Sequence, residues 1–301
     1  MLPKLFVIIV TYKGHQWYER CFTSLRNSEY PVQTIVIDNA SNDGTVEYIR
    51  EQFPEIHLIE SKENLGFGRA NNIGMRYALD HGCEYVFLLN QDAWLDSPDT
   101  LKKLVDIYNN HPEYGILSPM HLNVKKDELV MEYFCRRPDN KKLIEDLYLN
   151  QLTDIYDTHY IHAAAWMLSR KTLEVVGGFN PIFYHYEEDG DYLNRVIYHN
   201  LKIGVCPASR IIHDHHSKTP IGEQIKLREK QLKIYEYVNL NKPFNFMSYL
   251  LYYIRKWFVS LIKGNFRSAK RYSTDITFLV KMKNKIVENR KINQQIGPMW
   301  L

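Results

Sequence analysis

Hydrophobic and polar positions alternate over the first 120 residues in a way that predicts strands and helices in turn. Short apolar runs rich in β-branched residues are typical of strands buried on both faces of a sheet. They occupy residues 5–10, 34–37, 56–59, 85–89 and 116–118. Stretches with apolar residues at helical spacing lie between them, at residues 17–25, 45–53, 68–81 and 98–109. This alternation predicts a mostly parallel sheet with right-handed crossovers and helices on both faces, an α/β fold.

The pattern changes after residue 120. Residues 121–160 are polar and rich in tyrosine without a clear period, which predicts an excursion or a hairpin built over the sheet. Ordered elements are predicted again at residues 162–170, 172–176, 187–199, 202–206 (a strand ending at Pro207) and 223–238. A helical tail follows. We therefore divide the chain into a body, residues 1–239 with halves at 1–120 and 121–239, and a C-terminal helical extension over residues 240–301.

Composition excludes several classes of protein. With 301 residues, 45% hydrophobic and 24% charged, the chain is neither disordered, collagen-like nor a coiled coil. It is long enough to bury about three quarters of the surface that its unfolded form exposes, so it needs no disulfide or metal to fold. The four cysteines lie far apart and form no C-x-x-C pair, which favours buried thiols in a reduced compartment. They are Cys21, Cys83, Cys135 and Cys206.

Charge is distributed unevenly along the chain. Residues 240–301 hold twelve Lys/Arg and two Asp/Glu, a net charge of +10, which leaves −7 for residues 1–239. This asymmetry argues against a nucleic-acid binder and favours an acidic body with a basic tail. We expect no secretory leader and no membrane-spanning helix, because the longest uncharged apolar stretch of the tail, residues 243–254, is shorter than the ~20 residues needed. A cytoplasmic location follows from these expectations.

Polar residues follow each of the first four predicted strands. Ligands bind at the carboxyl edge of an open parallel sheet, so these positions predict a nucleotide cleft. They are Thr11 and Tyr12, then Asp38 and Asn39, then residues 64–72, then Asn90, Gln91 and Asp92. Asp38 could instead brace a loop. Gly66 and Gly68 lack the third glycine of a dinucleotide fingerprint, so NAD is not indicated. Asp92 is the best candidate for a divalent cation.

Two clusters in the second half could carry chemistry. Glu187, Glu188, Asp189 and Asp191 crowd four carboxylates into five positions. They form either an acidic helix N-terminus favoured by the helix dipole, or a group that a cation or a catalytic task requires. His213, His215 and His216 follow a predicted strand end and form either a surface turn or a source of one metal ligand.

The chain resembles the family-2 glycosyltransferases of the GT-A fold, and most of all the bacterial rhamnosyltransferase-like members. Seven stretches carry the resemblance in the family's order and cover residues ~5–217. They are VIIVTY at 7–12, IVIDNASNDGT at 35–45, NLGFGRANNIG at 64–74, VFLLNQD at 86–92, VGGF at 176–179, YEEDGDYLNR at 186–195 and IIHDHHS at 211–217.

The resemblance implies a role for each matching residue. Thr11, Tyr12, Asp38 and Asn39 would hold the nucleotide; Asn64, Gly68, Arg69, Asn72, Asn90 and Gln91 would line the donor pocket. Asp92 would coordinate Mg²⁺ or Mn²⁺, although Asn90-Gln91-Asp92 has one carboxylate where the family's D-x-D has two. His213 matches a second metal ligand, with His215 and His216 as alternatives. Asp189 would be the catalytic base with Glu188 its neighbour, and the extra Glu187 leaves a shift of one residue open. Gly177, Gly178 and Phe179 would shape the acceptor side.

The implied activity is inverting transfer of a sugar from a nucleoside diphosphate, such as dTDP-rhamnose or a UDP-sugar. The acceptor would be a hydroxyl of a glycan or a lipid-linked acceptor in cell-surface polysaccharide synthesis. Two alternatives remain: a non-catalytic sugar-nucleotide-binding module and a sugar nucleotidyltransferase. The latter would need a basic, glycine-rich loop after the first strand, which residues 11–15 do not provide. Residues 244–301 predict contact with the inner face of an anionic membrane, with cover for the body or a homodimer contact as alternatives.

Overall fold

A computed structural model of the chain describes residues 2–130, 141–214 and 221–301. The first half alternates strands and helices as predicted: β1 (Leu5–Thr11), α1 (His15–Arg26), β2 (Val32–Asp38), α2 (Thr45–Gln52), β3 (His57–Glu60), α3 (Phe67–Asp80), β4 (Tyr85–Leu89), β5 (Ala93–Leu95), α4 (Thr100–Asn110) and β6 (Tyr114–Leu122). The second half contains α5 (Lys141–Leu149), β7 (Tyr156–Asp157), β8 (Ala165–Ser169), α6 (Arg170–Val176), α7 (Glu188–Tyr198), β9 (Lys202–His213), α8 (Ile221–Val238), α9 (Phe246–Ile262) and α10 (Phe266–Asn293).

The strands form one sheet in the order β3-β2-β1-β4-β8-β6-β9-β5, with β7 beside β9. The parallel pairing predicted for the first four strands is confirmed. The second half is mixed, because β8 runs antiparallel to both β4 and β6 whereas β9 is parallel to β6. The switch in strand order at β1 and β4 places the loops after these strands side by side, which is where open α/β sheets bind ligands.

The strand predicted to end at Pro207 continues to His213, so that boundary was wrong. Pairing of β9 with β6 shifts between Cys206 and Arg210, which leaves Pro207 in a bulge where its missing N–H breaks no ladder bond. Beyond the bulge, β9 pairs antiparallel with the three-residue strand β5, and His213 lies opposite Ala93.

Two hydrophobic cores cover the two faces of the sheet. Successive residues of β1 point to opposite faces, so Phe6 and Ile8 belong to one core whereas Leu5 and Val7 belong to the other. Buried residues of α3 complete the first core and those of α1 and α4 the second. Three of the four cysteines, Cys21, Cys83 and Cys206, are buried free thiols, as predicted. Cys135 lies outside the described residues.

The C-terminal helices pack against the body at two places. Ile234 and Tyr237 of α8 share a small core with Leu279 and Ile286 of α10. Further along, the backbone of residues 298–301 lies against α3 and the loop after α6, where the amide N–H of Gly178 donates to the carbonyl of Met299 over 2.8 Å. Within the described ranges, no helix combines the length and the apolar character needed to cross a membrane.

Candidate active site

A cavity of about 650 Å³ opens at the carboxyl edge of the sheet. Its size is within the usual range for a small-molecule site. The residues that line it include six predicted site residues, which follow the first four strands: Tyr12, Asn39, Asn64, Asn90, Gln91 and Asp92. The remaining side of the cavity is formed by residues 184–186 and by Gln224 and Leu227 of α8. Of these, only Tyr186 lies in a stretch that the sequence indicated, at residues 186–195. The structure therefore brings together the polar ends of all four strands.

Gln91 fixes the loop after β1. Its side-chain carbonyl accepts from the backbone N–H of Tyr12 over 2.8 Å, and its amide donates to the backbone carbonyl of Tyr12 over 3.2 Å. This two-point contact leaves the Tyr12 ring exposed at the cavity. Gly14 is needed for the contact, because a Cβ there would lie 2.6 Å from the Gln91 amide. The backbone that carries the Tyr12 ring is thus held in place.

Thr11 and Asp38 are buried at the ends of β1 and β2. The hydroxyl of Thr11 donates to one carboxylate oxygen of Asp38 over 3.1 Å, and the backbone N–H of Ser41 donates to the other over 2.9 Å. Asp38 is 2% exposed, and neither residue lines the cavity. In this structure Asp38 braces the loop that follows it, the alternative role considered for it above. Contact with the nucleotide stays a prediction.

Asn39 and Gly66 join two edges of the cavity. The Asn39 side chain accepts from the N–H of Leu65 over 2.7 Å and donates to the carbonyl of Gly66 over 3.3 Å. Gly66 has a φ of +79°, and a Cβ there would lie 2.2 Å from the carbonyl oxygen of Tyr184. Only glycine permits both this backbone and this close approach. The loop at residues 64–66 is therefore held against the loop at residues 184–186.

Gly68, Arg69 and Asn72, predicted to line the donor pocket, are not part of the cavity lining. The first turns of α3 face the loop after α6 instead. Gly68 lets Phe179 approach, because a Cβ on Gly68 would lie 2.9 Å from the Cβ of Phe179. Arg69 donates to the carbonyl of Pro181 over 3.1 Å.

The amide of Asn72 is used within the chain. It accepts from the N–H of Phe179 over 2.7 Å and donates to the carbonyls of Phe179 and Trp300 over 2.8 and 3.0 Å. Gly68, Arg69 and Asn72 thus hold the backbone of the predicted acceptor loop.

Asp92 and His213 form a pair beside the cavity. The Oδ1 of Asp92 lies 3.4 Å from the Nε2 of His213, and the N–H of Asp214 donates to the backbone carbonyl of Asp92 over 2.9 Å. A carboxylate and an imidazole this close, at the rim of a polar cavity, fit a divalent cation that takes its other ligands from phosphate and water. Within the described ranges, no group of three Asp, Glu, His or Cys side chains could hold a metal ion. His215 and His216 lie outside those ranges.

Two further histidines adjoin this pair. The rings of His162 and His121 lie 5.7 and 6.0 Å from the ring of His213. Burial, followed by the neighbouring His213 and His162, lowers the pKa of His121 well below its usual value. His121 is therefore neutral at pH 7 and contributes no positive charge beside the Asp92–His213 pair.

The cluster of four carboxylates at residues 187–191 lies at the N-terminus of α7, directly after the cavity residue Tyr186. Tyr186 and Glu187 both have φ near +69°, a backbone conformation that costs side-chain-bearing residues about 1–3 kcal/mol each and that clusters at functional sites. Glu188 is 6% exposed, and one of its carboxylate oxygens has no hydrogen-bond partner within the described structure. Burial, and then the charge of Asp189, raise the pKa of Glu188 to about 8.

Asp189 is partly exposed and accepts from the N–H of Gly190 over 2.7 Å. Burial raises its pKa above the ordinary value, although that hydrogen bond and the charge of Arg228 oppose the shift. Arg228 of α8 also lies 3.9 Å from Glu187. This turn therefore holds two adjacent carboxyl groups whose proton affinities are both raised, the pattern expected of acid–base residues.

Sequence reasoning did not single out Arg195, which positions this turn. Its guanidinium is 1% exposed and donates to Asp191 over 2.9 Å and to the carbonyls of Val176 and Gly178 over 2.7 Å each. One side chain thus ties α7 to the loop at residues 177–179. The spacing of Asp191 and Arg195, four residues apart on a predicted helix, was the signal available in the sequence.

Comparison with known proteins identifies the family. Residues 6–177 match the family described as Glycosyl transferase family 2. The chain belongs to this family. Among similar proteins, the low-salt glycan biosynthesis hexosyltransferase Agl10 of Haloferax volcanii is 27% identical over 219 residues, 71% of this chain and 68% of that protein. The N-acetylglucosaminyl-diphospho-decaprenol L-rhamnosyltransferase of Mycobacterium tuberculosis is 27% identical over 244 residues, 72% of this chain and 78% of that protein.

Solved structures confirm the GT-A fold expected of this glycosyltransferase. A mannosyltransferase of Pyrobaculum calidifontis in complex with GDP-Man and Mn²⁺ has a TM-score of 0.58 at 17% identity, over 98% of this chain and 87% of that one. TarS 1-349 of S. aureus in complex with UDP-GlcNAc has a TM-score of 0.57 at 15% identity, over 80% of this chain and 68% of that one.

Proposed function

We propose that this glycosyltransferase moves a sugar, with inversion, from a nucleoside-diphosphate sugar to a hydroxyl of a glycan or lipid-linked acceptor in cell-surface polysaccharide synthesis. The observation that carries the proposal is the cavity that joins the polar ends of four strands to the Asp92–His213 pair. Three similar proteins are named as rhamnosyltransferases, and one of them, from Shigella flexneri, is named a dTDP-rhamnosyl transferase. We therefore propose dTDP-rhamnose or a UDP-sugar as donor.

The donor would occupy the cavity with its diphosphate toward Asp92. Tyr12 offers an exposed ring beside the nucleotide end, and Asn64 and Asn90 offer amides to sugar and ribose hydroxyls. Asn39 would act through the loop at residues 64–66, to which its amide is bonded. Asp92 and His213 would hold Mg²⁺ or Mn²⁺, which supplies neutralisation of the charge that develops on the departing diphosphate. Thr11 and Asp38 would contribute by fixing the loops on which these side chains lie.

Asp189 is proposed as the base. Its raised pKa brings its proton affinity closer to that of a useful general base near neutral pH. It takes the proton of the acceptor hydroxyl while that oxygen bonds to the anomeric carbon, and the bond from that carbon to the diphosphate oxygen breaks on the opposite side. One displacement inverts the configuration. Glu188, held neutral by burial, leaves Asp189 as the nearby anion.

The test is sugar transfer by the full chain from a panel of nucleotide sugars, with Mn²⁺ and with a chelator. We expect Asp189→Asn to lower the transfer rate by ~10²–10⁴ while donor affinity, measured by calorimetry, is unchanged. Asp80→Asn, which changes an exposed carboxylate on α3, is the matched control. Donor binding without transfer or hydrolysis by the unmodified chain would favour the non-catalytic module. Formation of a nucleoside triphosphate and a sugar 1-phosphate from the nucleotide sugar when pyrophosphate is added would favour the nucleotidyltransferase.

We also propose separate roles for the body and the C-terminal extension. Residues 1–239 would form the catalytic domain and residues 240–301 would place it at the inner face of a cytoplasmic membrane. The basic charge of the extension supports this, since each basic residue near an anionic surface contributes ~1 kcal/mol to binding. A homodimer through the same extension is the competing arrangement.

A further inference from the structure

We propose that the outward face of α9 is a membrane-binding surface that lies in the plane of an anionic bilayer and holds the donor cavity close to it. The proposal deepens the proposed function, on which it rests for the nature of the acceptor. It assigns the contact to a defined set of side chains rather than to the extension as a whole.

An apolar stripe runs along one side of α9. Its members recur at intervals of three or four residues, so they share one face of the helix. They are Met247, Leu251, Ile254, Phe258 and Ile262, with exposed fractions of 55, 59, 41, 58 and 71%. The stripe is ~22 Å long at 1.5 Å per residue. A contiguous exposed apolar surface of this kind marks an interaction site.

The opposite face of α9 is packed against the protein. Tyr249 and Tyr253 contact the small core between α8 and α10, and Ser260 is buried. The hydroxyl of Tyr253 lies 2.8 Å from that of Tyr237 on α8. The helix is therefore anchored by one face, and the stripe points away from the body.

Basic residues beside the stripe and after its C-terminal end select its occupant. Arg255 lies next to the stripe on α9, Lys263 directly follows the helix, and Arg267, Lys270 and Arg271 are exposed on the first turns of α10. Two copies of this chain meeting through the stripe would bring two such basic surfaces together, which is unfavourable. Anionic headgroups would neutralise the basic side chains while the stripe enters the acyl boundary.

The orientation of α9 follows from its length and charge. It has 17 residues, fewer than the ~20 needed to span a bilayer, and Arg255 and Lys256 interrupt its middle. A helix with one apolar face and basic residues beside it lies in the interface. The stripe therefore predicts a helix lying flat on the membrane.

α8 connects this surface to the cavity. Leu227 of α8 lines the cavity, whereas Tyr237 and Val238 near its other end belong to the core beneath α9. Ten residues of helix separate Leu227 from Tyr237, about 15 Å. A membrane-bound α9 would thus keep the cavity within reach of an acceptor whose lipid is in the same bilayer.

The experiment is flotation of the full chain with vesicles of phosphatidylcholine alone or with about a third phosphatidylglycerol. We expect binding to the anionic vesicles that weakens as salt rises. The double variant Leu251→Gln/Phe258→Gln should lower the partition coefficient at least about tenfold. Lys263→Gln/Arg267→Gln should lower it for anionic vesicles by about tenfold or more. Ile144→Gln/Leu149→Gln, which changes two exposed apolar residues of α5, is the matched control and should bind like the unmodified chain.

Two results would overturn the proposal: no flotation with anionic vesicles, or a dimer in light scattering that the stripe variant converts to monomer. The activity on a soluble acceptor separates this proposal from the proposed function. Stripe variants should keep that activity and the ordinary unfolding temperature. If the unmodified chain floats but transfers no sugar, the surface stands and the proposed function fails.

Discussion

The burial of Glu188 makes a quantitative prediction for Glu188→Gln. The pKa of this carboxyl is raised from 4.5 to about 8 by burial and by Asp189. At about 1.4 kcal/mol per pH unit, that difference corresponds to about 5 kcal/mol between the two protonation states. Relaxation of the surrounding chain lowers the value that unfolding would report, so we expect about 2–4 kcal/mol.

The direction of this pH dependence follows from which state of the chain, folded or unfolded, binds the Glu188 proton more tightly. The folded chain has the higher pKa, so the contribution of Glu188 to stability is fully present below pH 4.5 and is lost as the pH rises through about 8. Glutamine keeps the shape and cannot ionise. Glu188→Gln should therefore unfold in urea like the unmodified chain near pH ~4.5 and be more stable by about 2–4 kcal/mol above pH ~8.5.

The control for this prediction is Glu47→Gln, which changes an exposed glutamate in the first turn of α2. Its effect on the free energy of unfolding should stay within about 0.5 kcal/mol at both pH values. If Glu188→Gln shifted stability equally at low and high pH, the proposed cost of burying this carboxylate would be refuted. The amide would then act through packing alone.

Two further predictions concern the frame of the site. Gly66→Ala should destabilise the chain by more than Gly82→Ala, as measured by urea unfolding. Both glycines have positive φ, but of the two only Gly66 would place a Cβ 2.2 Å from another backbone atom. Equal losses of about 1 kcal/mol would show that backbone strain alone matters. Arg195→Met should lower the free energy of unfolding by about 3–5 kcal/mol, because it leaves the Asp191 carboxylate buried without its partner. Arg195→Lys should recover part of this loss. A change under about 1 kcal/mol for Arg195→Met in calorimetry would contradict this account.

Sequence patterns predicted the first half of the fold closely, because its strands are continuous apolar runs between amphipathic helices. The same patterns failed where a local signal conflicts with tertiary pairing. Pro207 indicated a strand end, yet a bulge absorbs it and β9 reaches His213. The three-residue strand β5 exists only because β9 pairs with it, and its own residues carry no periodic signal.

The candidate site likewise contains residues that the sequence could predict and residues that it could not. Residues directly after strands, such as Asn39, Gln91 and Asp92, were predictable because a sheet edge brings its loops together. Asn72 was not, since its position on α3 says nothing about which loop its amide will bind. Tyr184 and Leu227 reach the cavity through long-range packing that no spacing in the sequence encodes.

The antiparallel pairing of β5 and β9 has a consequence for the order in which the enzyme folds. Asp92 and His213 stand about 120 positions apart, so their meeting requires closure of a very long loop, and such contacts form slowly in folding. The parallel pairs β1–β2 and β2–β3 close much shorter loops, and β1–β4 closes one of intermediate length. A partly folded chain would therefore form the polar edge of β1 to β3 first and bring together Asp92 and His213, the proposed metal ligands, last. Catalysis would then wait until the sheet is complete.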